Sequence, residues 1–250
     1  GVHPAQLRLA FEELLAHHLA VRRRRQYRES SVAPPISIGT RLWPQLEKRL
    51  GFLLTNAQQR TIREVLTDLS QPRPSLRLIQ GDVGCGKTVV AAAAALAAIE
   101  AGLQVVVMAP TELLAEQHFR TFTKWLEGFD LTLVWLTGKL GAREKREACN
   151  LLASGQAQIG VGTHALFQEG VRYRALGLVV VDEQHRFGVE QRLALREKGR
   201  DGNRFPHQLV MTATPIPRSL TMVLHADMDV SIIDEMPPGR KTVETVVIPN

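Results

Sequence analysis

The sequence predicts an α/β fold, a mainly parallel sheet covered by helices and preceded by a long N-terminal helix. Three observations predict it. Strand-like and helix-like segments alternate from Leu50 onward. Several strand segments, such as the one ending Val179-Val180-Val181-Asp182, are near-continuous apolar runs, as strands buried on both faces should be. A glycine-rich loop, Gly81-Asp82-Val83-Gly84-Cys85-Gly86-Lys87-Thr88, joins one short apolar segment to an alanine-rich helical stretch.

The elements follow in order. Leu7, Phe11, Leu14, Leu15 and Leu19 recur at helical spacing, so residues 5–28 read as one amphipathic helix. Its apolar stripe must pack on the following domain or on one that precedes it. Ser30–Ile38 contains Pro34-Pro35 and reads as an extended linker. The chain thus divides into residues 1–49, a basic amphipathic helix with a proline-containing linker, and residues 50–250, one nucleotide-binding domain. Within the second part the strands expected are Leu76–Gln80, Gln104–Ala109, Leu131–Leu136, Gln158–Gly162, Leu178–Asp182 and Gln208–Thr212. Helices are expected at 87–101, 112–127, 141–153 and 188–198. In such a sheet ligands gather at the carboxyl ends of the strands. The glycine loop, Thr111, Thr163, Asp182-Glu183 and Thr212 all follow strands, so they should meet along one edge.

The glycine loop fits G-x-x-x-x-G-K-[ST], a phosphate-binding loop. Gly81, Gly84 and Gly86 let the backbone curl so that its N–H groups face an anion, and the helix that follows adds its N-terminal partial charge. Lys87 can reach β- and γ-phosphates and the Thr88 hydroxyl can ligate Mg²⁺. The apolar run ending in Asp182-Glu183 supplies what the loop lacks. Asp182 is placed to anchor the ion, and Glu183 to orient and deprotonate an attacking water. Gln184 and His185 would then lie beside the γ-phosphate and sense it. The two segments together imply a nucleoside triphosphate, bound with Mg²⁺ and coupled to mechanical work.

Composition bounds the rest. The 250 residues are 44% hydrophobic and 22% charged, as in a globular domain. Cys85 and Cys149 offer neither a disulfide framework nor metal-ligand spacing, and a cysteine in the phosphate loop suits a reducing compartment. The longest apolar stretch, Val89–Ile99, is too short to span a bilayer, so no membrane partner is expected. The chain opens at Gly1 without an initiator methionine, as a piece of a longer polypeptide would. Of the net charge of +6, residues 1–50 hold +5, with nine Lys/Arg against four Asp/Glu. Arg22-Arg23-Arg24-Arg25 and Arg28 supply most of it, as a phosphate-contacting run or as a solvated helix face.

Smaller motifs stand at the other strand ends. Thr212-Ala213-Thr214-Pro215 can bond His185 or Asp182 and relay nucleotide state through Thr212 and Thr214, or it is a turn set by Pro215. Thr111, in Ala109-Pro110-Thr111-Glu112, can hold a nucleic-acid phosphate or cap a helix. Thr163 and His164 offer similar donors, as does Thr137 in Thr137-Gly138-Lys139.

Taken in order, these motifs resemble the superfamily 2 helicases. Phe52-x-Leu54-Thr55-x-Ala57-Gln58 is similar to their Q motif. Pro110–His118, Gly162–Leu166, Asp182–Gly188 and Thr212–Arg218 resemble motifs Ia, Ic, II and III. The Asp-Glu-Gln-His-Arg-Phe-Gly form and Pro237-Pro238-Gly239-Arg240 look like the RecG type of branch-migrating DNA helicase. The resemblance implies a RecA-like first motor lobe that binds ATP and Mg²⁺. Gln58 would read adenine, Phe52 would pack near the base, and Lys87, Thr88, Asp182 and Glu183 would form the hydrolytic centre. Thr111, Thr163 and His164 would face DNA. It further implies branched double-stranded DNA as substrate, a second RecA-like lobe and an N-terminal wedge domain as partners, and a bacterial cytoplasmic, nucleoid-associated location. Cys85 departs from the serine expected there. Its side chain should point away from phosphate, leaving function intact with some sensitivity to oxidation. The first motor lobe of a transcription–repair coupling translocase is the neighbouring reading. A GTPase-type switch lacks its guanine-reading motif, and a non-catalytic scaffold lobe is the remaining class.

Overall fold

The computed structural model describes residues 3–29, 31–183, 204–214 and 228–237. Helix α1 (Pro4–Glu29) leads to an extended segment and then to α2 (Leu42–Arg49) and α3 (Asn56–Leu69). Strand β1 (Leu76–Gly81) is followed by α4 (Lys87–Glu100), β2 (Gln104–Met108), α5 (Glu112–Trp125), β3 (Leu133–Leu136) and α6 (Ala142–Ser154). Then come β4 (Ile159–Gly162), a 3-10 turn (His164–Phe167), β5 (Leu176–Asp182), β6 (His207–Thr212) and β7 (Asp229–Ile233).

The described strands form one seven-stranded sheet of order β3-β4-β2-β5-β6-β1-β7. Every described pair is parallel, so all strand carboxyl ends lie on one edge. The pleat explains how valine runs serve two cores. Val105, Val107, Leu178 and Val180 enter one apolar cluster, with α2, α3, α4 and Phe122 of α5. Val106, Met108, Val179 and Val181 enter the other, with α6 and the 3-10 turn. Helix α4 is apolar all round, and Val89 through Ile99 are all buried, as such a composition requires. Gly162 permits close approach at the β3–β4 edge, because a Cβ there would overlap the Leu136 carbonyl.

The six expected strands and the helices at 87–101, 112–127 and 141–153 are present, with no end shifted by more than two residues. The expected helix at 188–198 lies outside the described residues. Three elements were not anticipated. Helix α3 carries its own start signal, a capping box in which Thr55 Oγ1 accepts from Gln58 N–H and the Gln58 side chain accepts from Thr55 N–H. Strand β7 is a short run next to β1, and α2 follows the linker read over Ser30–Ile38. Packing does not divide at residue 50. Ile36, Leu42, Trp43 and Leu46 are buried in the same cluster as α4, and three backbone N–H groups at Thr40, Arg41 and Leu42 converge on the Glu100 carboxylate. His207, buried in β6, donates from Nε2 to the Pro34 carbonyl at 2.9 Å, while its Nδ1 accepts from Ser75.

Helix α1 forms over the expected span, but Leu7, Leu9, Phe11, Leu14, Leu15 and Leu19 are all 44–67% exposed. Leu9 stands nearly opposite Leu7, so the apolar set is broader than one stripe. Arg22 and Arg23 are exposed; the side chains of Arg24, Arg25 and Arg28 are outside those described.

Candidate nucleotide and nucleic-acid site

The phosphate loop leaves β1 at Gly81 and enters α4 at Lys87. Gly86, at φ +93°, sits where only glycine fits, because a Cβ would strike the Gln58 amide. Lys87 Nζ folds back onto the loop, donating to the Gly81 carbonyl at 2.6 Å and the Asp82 carbonyl at 3.0 Å. These are contacts that an arriving phosphate would replace with stronger, charge-assisted ones. Cys85 is buried with Sγ against Gly81, so the side chain does point into the core. The expected oxidation sensitivity does not follow. Burial pushes the thiol's pKa up, which suppresses the reactive thiolate.

Gln58 is 1% exposed and its amide is engaged on both sides. Oε1 accepts from Thr55 N–H at 2.9 Å, and Nε2 donates to the Cys85 carbonyl at 2.8 Å. The amide therefore braces the phosphate loop from α3 and is not turned outward to a base edge. Phe52 is exposed on the chain entering α3.

Asp182 ends β5, level with Met211 of β6, which in turn is level with Ile79 of β1. Two strand spacings thus separate β5 from the strand that carries the phosphate loop, about 10 Å. The Asp182 carboxylate is bonded to His118 of α5, with Nε2 2.7 Å from Oδ2. Glu183 has φ +52°, the one non-glycine residue with positive φ among those described. Its N–H donates to the Met211 carbonyl at 2.8 Å, and its carboxylate accepts from Ala213 N–H at 2.9 Å and the Thr212 hydroxyl at 3.3 Å. Thr212 was expected on His185 or Asp182; among the described residues its hydroxyl donates to Glu183 and not to Asp182. Thr214 is exposed and its N–H donates to Thr212 Oγ1. Gln184 and His185 lie outside the described residues.

At the other half of the edge, Thr111 is exposed and caps α5, its hydroxyl accepting from Leu114 N–H at 3.3 Å. His164 is exposed at the start of the 3-10 turn. Thr137 and Thr163 are 2% and 4% exposed, and Thr163 N–H is taken by the Leu136 carbonyl. Neither hydroxyl is open to a phosphate as it stands, because β3 and β4 approach so closely there. Lys139 pairs with Glu112 at 2.5 Å, and that hydrogen bond raises the lysine's pKa. The loop (β1), Thr212 (β6), Asp182 and Glu183 (β5), Thr111 (after β2), Thr163 (after β4) and Thr137 (after β3) thus stand in that order along one edge.

A family profile described as "DEAD/DEAH box helicase" matches residues 55–223. The chain belongs to the DEAD/DEAH box helicase family. It is similar to the protein named ATP-dependent DNA helicase RecG of Pasteurella multocida, 53% identical over 99% of this chain and 36% of that protein. It is 52% identical to the RecG helicase of Escherichia coli K12 over 100% of this chain, again 36% of the relative. A solved structure of RecG bound to a three-way DNA junction superposes with a TM-score of 0.84 at 42% identity, covering 96% of this chain and 32% of that one. The chain therefore spans about a third of the length of the relatives it matches. Within this helicase family member, one site residue escaped the motif reading. His118 lay inside the motif Ia string without a role, although with Ala115 and Phe122 it marks the buried face of α5. A histidine on that periodic apolar face needs a polar partner, and this is the signal that could have found it.

Proposed function

We propose that this chain is the first, ATP-binding motor lobe of a RecG-type DNA helicase acting on branched double-stranded DNA in the bacterial cytoplasm. The observation that carries the reading is the single sheet edge, on which the phosphate loop and Asp182-Glu183 run directly into the strand ends of motifs Ia and Ic. Identity of 52–53% to RecG helicases over the whole chain supports this over the coupling-translocase reading.

The residues fit an ATP–Mg²⁺ complex. Among the described residues no three or more His, Cys, Asp or Glu gather as a self-contained cage. A divalent ion here would take most ligands from phosphate and water, with Asp182 and Thr88 holding it. When bound, that ion supplies charge neutralisation at the phosphate oxygens. The loop N–H groups and Lys87 bind the phosphates. Glu183 takes the proton of the attacking water, and its bonds to Thr212 and Ala213 tie that step to β6. Thr111 and His164 offer donors to the DNA backbone. Excess charge on the γ-phosphoryl oxygens calls for a cation from a second RecA-like lobe, and DNA grip for a wedge domain, both in the same polypeptide. No described helix is long and apolar enough to cross a membrane.

The test is steady-state ATPase of residues 1–250 beside the intact polypeptide, with and without forked DNA. A second-lobe arginine would contribute about 10³–10⁵ in rate, so the isolated lobe should bind ATP yet turn it over slowly with little DNA stimulation. Turnover near the intact rate would refute the two-lobe reading.

A further inference from the structure

We propose that His118 is a positioning residue that fixes the Asp182 carboxylate and ties it to the helix opening at Thr111. Nucleic-acid engagement and Mg²⁺ binding then bias one another. The inference rests on the nucleotide site proposed above, but adds a residue that no step of that chemistry uses.

The geometry is specific. Nε2 and Oδ2 are 2.7 Å apart, and the two side chains are only 10% and 13% exposed. An ionised carboxylate can only accept, so the ring nitrogen facing it carries the proton. His118 engages Oδ2, and among the described residues Oδ1 makes no hydrogen bond. The ring has little freedom to swing away, because His118 shares its helix face with buried Ala115 and Phe122. It arrives from a different element than its partner: α5 packs on β4 and β2, whereas Asp182 ends β5. Its helix begins at the exposed Thr111 cap, about 10 Å away at 1.5 Å per residue. A displacement of α5 by a phosphate at that cap would therefore shift the donor that orients Asp182. Carboxylates that hold metal ions are commonly fixed by such outer partners, whose loss weakens metal affinity about 10–100-fold.

The experiment uses the intact polypeptide. A fluorescent ATP analogue is titrated with Mg²⁺, with and without forked DNA, and its affinity is measured separately in EDTA. His118→Phe keeps the ring volume and removes the N–H; His118→Gln keeps an N–H at similar reach. The expected result for His118→Phe is a Mg²⁺ half-saturation about 10–100-fold higher, with EDTA affinity unchanged. The shift in half-saturation that DNA produces in the parent should shrink in the same variant. His118→Gln should recover most of both. If His118→Phe does not fold, His118→Asn, whose shorter amide falls short of Asp182, takes its place. Parent-like Mg²⁺ dependence in the donor-less variant overturns the proposal. So does tighter Mg²⁺ binding, which would mean that His118 withholds the carboxylate, and so does an equal loss of affinity in EDTA. A parent whose nucleotide binding ignores Mg²⁺ would instead refute the nucleotide site itself.

Discussion

Replacing Gln58 by alanine separates two roles for this residue, bracing the phosphate loop or reading the base. The substitution removes both amide bonds. Thr55 N–H loses its 2.9 Å acceptor and the Cys85 carbonyl its 2.8 Å donor, at a site 1% exposed. A net hydrogen bond is worth roughly 0.5–1.5 kcal/mol and an orphaned buried polar group roughly 1–3, so the loss should total about 2–4 kcal/mol. For a domain of this size that is about 5–15 °C in melting temperature. The Thr55 Oγ1 bond to residue 58's N–H is backbone-directed and survives. Because the lost bonds hold the loop, ATP and GTP should weaken together, by about tenfold for each 1.4 kcal/mol that falls on the loop. Gln58→Glu sharpens the comparison, since its carboxylate keeps the acceptor for Thr55 but cannot donate to Cys85. The assays are thermal unfolding and parallel titrations with fluorescent ATP and GTP analogues. Loss of ATP-over-GTP preference with an unchanged melting temperature would refute the bracing role.

Three further outcomes are expected. Lys87→Ala removes the charge-assisted donor of the loop and should weaken triphosphate binding by about 1.5–3 kcal/mol, read by the same titration; unchanged affinity would take Lys87 out of the site. Glu183→Gln should retain ATP binding and its Ala213 N–H contact while turnover in the intact polypeptide falls about 10²–10⁴-fold; normal turnover would mean that another group accepts the proton. His207 is held neutral, because burial lowers its pKa below the ordinary value. Between that lowered value and about 6.5 the unfolded chain binds a proton the folded one does not, so stability is full above pH ~6.5 and declines as pH falls below it. Melting temperatures from pH 7.5 to 5 should show this decline flattened in His207→Gln; parallel curves would show that this imidazole does not carry it.

The sheet was legible because its strands are buried on both faces and so write themselves as apolar runs, and the phosphate loop because its chemistry demands glycines and a lysine in sequence. Helix α3 was masked by its own capping box: Thr55 and Gln58 read as a ligand motif, though the same spacing is a helix start. Strand β7 was missed because Asp229-Val230-Ser231 breaks the apolar pattern that marks the other strands. Among site residues, position along the edge was readable and side-chain direction was not. Thr137 and Thr163 stand at the expected strand ends, yet the close β3–β4 approach buries them. Helix α1 had the opposite problem, since local periodicity predicts a helix but cannot say what covers it.

Each segment of the proposed nucleotide site is held by an element other than its own. Gln58 of α3 braces the loop, His118 of α5 holds Asp182, and Thr212 and Ala213 hold Glu183. Each of those elements also leads away. Helix α3 is tied to the segment after β7, where Ala57 N–H donates to Glu235 at 3.1 Å and Arg60 pairs with Asp234 at 3.0 Å. Helix α5 opens at the Thr111 cap on the same sheet edge, and β6 ends at Thr212 beside Ala213 and Thr214. Single hydrogen bonds of roughly 0.5–1.5 kcal/mol are far too weak to define the fold. They are comparable with the 1–3 kcal/mol typical of coupling between sites. A fold held by its buried sheet and a site held by such bonds can therefore respond to a bound ligand by exchanging contacts, leaving the core unchanged.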